Sequence, residues 1–453
     1  MPQRKQGVAG RVSYSYDGRY YIEGNFGYNG SENFAKGHRF GFFPSIAVGY
    51  NISNEKFWQP IKPVISNLKI RGSWGLVGND ATNAGRFAYM EDLVLGGSDS
   101  YTTGIRQDTY YSGPSWNRYF NPDLTWEVGE KINLGLDLQL FNDFNLTFDI
   151  FREKRRDIFM TRENSIPEIV GTGETKITSN NGEMENKGLD LAIDYNKQIT
   201  KDFFLSFKST LTFARNKVLK MDEPPYFEYP GLSDVGHPLG TYWGYVADGL
   251  FPDQETIDNS PRQDLGYTPQ PGDIKYVNQP NAKGEYDNVI NSNDRVAIGH
   301  PYDPELVYGF GPSMKWKNWD FSFFFQGVAR TSFMMYGLHP FGTTSIKNML
   351  QFVADDHWSV DNPNPNAAYP RLTKDSNGNN DQYSTYWLRN AAFLKLKNAE
   401  IGYTYKGMRF YLSGVNLLTF SPFKHWDPEM GGGNGLYYPT QRVFNIGFQM
   451  TIQ

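Results

Sequence analysis

The sequence predicts an all-β fold, an antiparallel transmembrane β-barrel. Three observations carry that expectation. Strand-like segments alternate apolar and polar residues with period 2, which puts one chemistry on each face of a strand. Short turns join them at one end, at Asp17-Gly18-Arg19, Phe141 to Phe144, Gln198 to Asp202, Asn318 and Lys406-Gly407. Long connections rich in Trp, Tyr, Gly, Pro and Asn join them at the other end. Membrane barrels with short periplasmic turns and long extracellular loops have this form. A soluble β-sandwich or propeller also alternates wherever one face is wet. It explains the constant short/long parity less well, because both ends of a soluble sheet meet the same solvent.

Weak alternation marks strands near 8–16, 20–29, 42–52 and 67–77. The pattern then strengthens. Ile132, Leu134, Leu136, Leu138 and Leu140 oppose Asn133, Gly135, Asp137 and Gln139. Leu146, Phe148 and Ile150 oppose Asn145, Thr147 and Asp149, and Leu189, Leu191, Ile193 and Tyr195 oppose Asp190, Ala192 and Asp194. Phe203, Leu205, Phe207, Leu211 and Phe213 oppose Ser206, Lys208, Thr210 and Thr212. A further weak strand lies near 305–316, followed by Trp319, Phe321, Phe323 and Phe325 against Asp320, Ser322 and Gln326. Strands near 393–405 and 408–417 come next, and a one-residue phase slip near Asn398 predicts a bulge. The last strand sets Phe444, Ile446, Phe448, Met450 and Ile452 against Asn445, Gly447, Gln449 and Thr451. The total is about 13 strands of roughly 9 to 14 residues, the length a tilted membrane strand needs.

Parity fixes an orientation. With Gln453 in the periplasm, the connections at 17–19, 53–66, 141–144, 198–202, Asn318 and 406–407 are periplasmic. Those near 30–41, 78–126, 156–182, 216–304, 330–392 and 418–441 are extracellular. Residues 241–251 look strand-like but fall inside a loop, as a protruding hairpin.

Composition agrees. Of 453 residues, 39% are hydrophobic, 16% aromatic and 21% charged, and the net charge is -5. No basic stripe points to nucleic acid. The absence of cysteine rules out a disulfide framework and Cys-ligated zinc. No run of about 18 apolar residues can form a transmembrane helix, and the negative mean hydropathy is what alternating barrel strands give. No apolar signal-peptide core follows Met1 to Gln6. A barrel reading therefore expects further sequence upstream.

One ordered series of motifs is more specific. It begins with Asn121-Pro122-Asp123-Leu124-Thr125-Trp126-Glu127, which runs into Ile132-Asn133-Leu134-Gly135-Leu136-Asp137. Phe151-Arg152-Glu153-Lys154-Arg155-Arg156-Asp157-Ile158 follows, then Asn181-Gly182-Glu183-Met184-Glu185-Asn186-Lys187-Gly188-Leu189. Gly10 to Tyr16, Phe43-Pro44-Ser45, Leu68 to Gly75 with Gly78-Asn79, Phe393 to Asn398, and Gly414 to Leu418 with Asp427-Pro428-Glu429 fall in the same order. The series resembles the SusC/RagA family of TonB-dependent outer-membrane transporters of Bacteroidetes, over essentially the whole chain. Asn445-x-Gly447-x-x-Met450-x-Ile452 is similar to the terminal assembly signal of such barrels, although this chain ends on Ile452-Gln453 rather than an aromatic residue. The family's acidic D-x-N-G-D-G-x-I loop is reduced here to Gly272-Asp273-Ile274 with Glu285 and Asp287 nearby, so no calcium site is carried over.

The resemblance implies a barrel of 22 strands closed around a plug. About 13 strands then describe an incomplete barrel without its plug, with two unpaired edges that a bilayer cannot satisfy. The chain alone is expected to be incompetent for transport. Implied partners are outer-membrane lipid, a SusD-like surface lipoprotein, the TonB complex through the N-terminal plug region, and an oligosaccharide or peptide ligand.

No catalytic constellation emerges. The six histidines, His38, His237, His300, His339, His357 and His425, fall in loops or their margins without zinc spacing. No enzyme activity and no cofactor are expected. Aromatic residues of the long loops are the candidate ligand contacts, because flat rings with a polar edge suit sugar faces and peptide backbones. They are Tyr110, Tyr111, Trp116, Tyr242, Trp243, Trp426, Tyr437 and Tyr438, with Tyr119 and Tyr245 beside them. Membrane girdles and loop packing use the same residue types. The functional reading is TonB-dependent nutrient import. A passive porin-like channel, a surface adhesin and a soluble sugar-binding protein remain as alternatives.

Overall fold

The computed structural model describes residues 4–82, 85–96, 100–162, 164–167, 169, 177–338, 349–373 and 377–450. Among these, thirteen strands form one antiparallel sheet in strict sequence order. They are β1 (Lys5–Tyr16), β2 (Tyr20–Ser31), β3 (Phe40–Asn51), β4 (Ile65–Asn79), β5 (Glu127–Leu140), β6 (Phe144–Arg162) and β7 (Ile177–Thr200). Then come β8 (Phe203–Lys220), β9 (Leu306–Trp316), β10 (Trp319–Ala329), β11 (Phe393–Tyr405), β12 (Met408–Phe420) and β13 (Val443–Met450). Each predicted strand is present, the last as far as Met450; Thr451 and Ile452 lie outside the described residues.

Turn chemistry explains the tight ends. Asp17 and Gly18 have φ of 51° and 62°, and Lys406 and Gly407 have 49° and 81°. Two successive positive φ values make the type I′ turn whose twist matches that of the flanking strands. Lys317 joins Asn318 in the turn between β9 and β10, where Trp316 pairs with Trp319. The bulge expected near Asn398 lies between Leu396 and Asn398 in both pairings of β11.

The chain divides into two compact units. The first comprises Met1–Asp190, Arg215–Pro225 and Asp234–Gly236. Its ladder is regular where Ile46 lies opposite Trp74, Trp74 opposite Ile132, and Ile132 opposite Arg152, with a register shift lower down between Ile65 and Asn67. One face of the ladder carries Ile46, Trp74, Ile132, Leu134 and Ile150, all exposed. The other face carries Arg71 bonded to Asp137 and Asp149. From Ile132 to Leu140 the apolar row covers about 26 Å along the strand at about 3.3 Å per residue. At a tilt near 40° that crosses about 20 Å, close to the apolar band of an outer-membrane barrel.

Two expectations are corrected. The loop at 156–182 is shorter than expected, because β6 and β7 run to 19 and 24 residues. Beyond Ile150 the outward positions become charged, so the apolar row ends while backbone pairing continues. Residues 241–251 do not form a hairpin. Tyr242–Gly244 pairs with Val296–Ile298, and Ala247–Leu250 pairs with Ile274–Tyr276.

The first unit's loop core explains its most distinctive motif. Leu124 and Trp126 are buried with Phe34 and Ala88, and Trp126 Nε1 donates to Arg39 O at 3.0 Å. Asn180 donates to Thr125 O and to Asp157 O, and Asn121 Nδ2 donates to Thr178 O. The Asn121–Trp126 segment therefore holds together the upper ends of β2, β3, β6 and β7.

Candidate functional site

The second unit comprises Leu191–Ala214, Tyr226–Ser233 and His237–Gln453. Its long connections fold into a body with its own apolar core, which includes Tyr245, Ile274, Tyr276, Ile298, Met335 and Trp387. A polar network threads that core. The Asp273 carboxylate, wholly buried, accepts from Arg371 Nε at 2.7 Å and from Asn377 Nδ2 and Asn380 Nδ2 at 2.9 Å each. Asn380 Oδ1 accepts from Ile274 N at 2.9 Å, and Asn379 Nδ2 donates to Ile274 O at 2.8 Å. Tyr276 OH donates to Asn379 O at 2.7 Å. Buried polar groups with all their bonds made fix one arrangement and are costly to leave unpaired. This network locks the segment around 263–276 to the segment around 371–387. Asp273 is thereby committed to protein partners. Gly272, with φ of 88°, faces the Trp358 ring so closely that a Cβ would lie 2.2 Å from it.

The loop at 421–442 lies over this body. Gly433 N donates to Met334 O at 2.8 Å, and Tyr336 N donates to Gly433 O at 3.1 Å. Trp426 packs on Phe423 with ring centroids 4.6 Å apart, and its Nε1 donates to Gly431 O at 2.9 Å. Gly435, with φ of 72°, lies against the indole, where a Cβ would come within 2.6 Å. A cavity of about 470 Å³ opens here, walled by Trp426, Tyr437, Asn416, Lys424, Thr440 and Arg442. A second cleft of about 240 Å³ is walled by Tyr336, Tyr383, Asn380, Gln382 and Trp387. A hydroxyl hydrogen bond joins Tyr336 to Tyr437 and raises the Tyr336 pKa. Rings beside amide and hydroxyl groups suit a ligand that offers both flat apolar faces and hydrogen-bonding edges.

The predicted contacts divide accordingly. Trp426 and Tyr437 share one cavity. Tyr438 is adjacent and highly exposed, its hydroxyl held by Gln441 Nε2 at 2.6 Å. Tyr242 is half-buried, and burial pushes its phenol up to about 12. Trp243 meets His237 edge-on at 5.0 Å. Tyr245 is a core residue, closed to ligand. Tyr110, Tyr111 and Trp116 lie in the first unit, where Tyr111 stacks on Tyr101 at 5.2 Å and Trp116 on Tyr119 at 5.7 Å. His38, His237, His300, His357 and His425 lie in turns and loops, and His339 lies outside the described residues. Tyr336, Tyr383, Asn380 and Gln382 went unnoticed in the sequence. They come together only through contacts distant along the chain, which alternation does not encode.

A meander of membrane-length strands, short turns at one end and an aromatic-walled loop body define an outer-membrane barrel of the TonB-dependent receptor class. The chain belongs to the family "TonB dependent receptor-like, beta-barrel", whose sequence model matches residues 3–417. It is 29% identical to the TonB-dependent receptor SusC of Bacteroides thetaiotaomicron, across 97% of this chain and 43% of that protein. It is 27% identical to a TonB-dependent receptor of Formosa agariphila, across 98% of this chain and 45% of that protein. The fold is similar to that of the RagAB peptide importer in its open-open state, with a TM-score of 0.76 at 21% identity, covering 99% of this chain and 47% of that one. The closed-closed state gives 0.75 at 21% identity, covering 99% and 48%. The chain spans about half the length of the curated relatives it matches. Family and relatives place it in the bacterial outer membrane, which displaces the soluble alternative.

Proposed function

We propose that the polypeptide carrying this chain imports a nutrient, an oligosaccharide or a peptide, across the outer membrane with energy from the TonB complex. Residues 1–453 form the C-terminal part of its barrel, with the loops near 78–126, 216–304, 330–392 and 418–441 outside the cell. A SusD-like lipoprotein works with those loops, as the SusC relationship suggests. The observation that carries this reading is the cavity of about 470 Å³ between Trp426 and Tyr437 on a locked loop body. RagAB is described as a peptide importer, which supports keeping peptides beside oligosaccharides as the ligand class. The step is conformational: a ligand is captured at the loops and passed inward, and no bond is made or broken.

Uptake of labelled oligosaccharides and peptides, compared in cells with and without TonB, tests the proposal. Import that needs both TonB and this polypeptide supports it. Uptake that persists without TonB would instead favour the passive channel.

A further inference from the structure

The outward face of β5 to β7 changes chemistry at one level. Below that level it carries Ile150, Leu134 and Leu189, with Ile150 paired to Leu134. Directly above stand Arg152, Lys154 and Arg156 on β6, Glu130 on β5, and Glu183, Glu185 and Lys187 on β7. The register puts the first three on the apolar row, since Arg152 pairs with Ile132, Lys154 with Glu130 and Arg156 with Val128. Trp74 marks the boundary, its Nε1 donating to Glu130 Oε1 at 2.8 Å. An indole at the edge of an apolar band is where the headgroup layer of a membrane begins.

Acids and bases are not equivalent in this patch. Glu185 bonds both Arg152 and Lys187, and Glu183 bonds Lys154. The Glu185 side chain is only 11% exposed, whereas Arg152 and Lys187 are 51% and 61% exposed. Glu185 lies against the sheet and its two cations stand out from it, whereas Lys154 and Glu183 are exposed to similar extents, 38% and 33%. Arg155, Glu127 and Glu153 form a separate network on the opposite face.

We propose that Arg152, Lys154, Arg156 and Lys187 bind a phosphate group on the headgroup of an outer-leaflet glycolipid. The patch continues the lipid-facing band, sits at headgroup depth and is complementary to an anion. Guanidinium groups hold phosphate through paired N–H bonds, and basic side chains at an interface draw in anionic lipid. The proposal rests on the extracellular placement of the long loops given above.

The test uses the full-length polypeptide in neutral detergent. Native mass spectrometry counts bound lipid A carrying its phosphates against the same lipid dephosphorylated. The phosphorylated form should be preferred, and a variant with Arg152, Lys154, Arg156 and Lys187 all changed to Gln should lose that preference by on the order of ten-fold. A control with Arg155→Gln and Lys131→Gln, on the other face, should keep it. Glu183→Gln with Glu185→Gln frees the cations and should keep or strengthen it. An equal count of both lipids on the wild type, or a quadruple variant that still prefers phosphate, overturns the proposal. Should the quadruple variant fail to assemble, the glutamate variant decides, and loss of preference there also overturns it. Uptake assays play no part, so failure of the import reading would leave this result interpretable.

Discussion

Lys395 Nζ lies 2.6 Å from Asp427 Oδ2, and the lysine side chain is wholly buried. A second carboxylate, Glu429, bonds the same ammonium and also accepts from Lys397 at 2.8 Å. The cluster ties the loop at 421–442 to the upper end of β11, and Thr440 closes it by donating to Asp427. A buried lysine persists only when its charge is matched and its hydrogens are used. The Asp427-Pro428-Glu429 motif is therefore a clamp that holds the roof of the aromatic cavity.

Lys395→Met should release that clamp. Leaving two carboxylates beside an apolar side chain costs on the order of 3 kcal/mol. The variant should melt at a lower temperature, and protease should cut the 421–442 loop sooner than in the wild type. Unchanged melting and unchanged cleavage would show that the cluster holds nothing.

The clamp should also be pH-dependent. Burial opposes ionisation of Asp427, but hydrogen bonds from Lys395 and then Thr440 outweigh it and hold the carboxyl below its usual range. Glu429 is lowered in the same way, burial again opposing and Lys395 and Lys397 prevailing. Carboxyls with depressed folded values contribute fully above their unfolded values and lose that contribution as pH falls through the folded ones. The stability lead of the wild type over Lys395→Met should thus be full above about pH 5 and shrink below about pH 4. His425 contributes a separate decline. Burial, then Arg389, depresses it, so its stabilisation is full above about pH 6.5 and falls below that in both proteins. Melting temperatures of the two proteins from pH 3 to 8 separate the effects.

Trp426→Ala and Tyr437→Ala should each weaken ligand capture, whereas Tyr111→Ala should leave it unchanged. Aromatic contacts of this kind contribute on the order of 1 kcal/mol beyond the area they bury, a loss of about five-fold in affinity. Tyr437→Phe separates the ring from its hydroxyl bond to Tyr336. Binding of the imported ligand to purified full-length protein, followed by calorimetry, measures all of them. Equal losses for Tyr111 and Tyr437 would show that both loop clusters contact the ligand.

The strands were legible because period 2 is a local signal. Even the slip near Asn398 showed, since a bulge moves every later side chain to the other face. The tops of β6 and β7 are not legible, because apolar alternation stops at Ile150 while the strand continues to Arg162. The pairing of Tyr242–Gly244 with Val296–Ile298 had no local signature either. Of the aromatic site, Trp426 and Tyr437 could be named from their loop position. Tyr336 and Tyr383 join them only because Asp273, Arg371 and Asn380 lock distant segments together, and no spacing rule encodes that network.

A transmembrane barrel portion with outward-facing long loops should expose them on intact cells and keep its short turns in the periplasm. This chain contains no cysteine, so a cysteine placed in it is the one thiol among these 453 residues, and the unsubstituted polypeptide treated alike gives the background. Tyr438→Cys and Lys406→Cys, each placed in the full-length polypeptide, can be treated on intact cells with a membrane-impermeant maleimide. Labelling is expected at position 438 on intact cells and at 406 only after the outer membrane is broken. Labelling at 406 with protection at 438 would contradict that orientation.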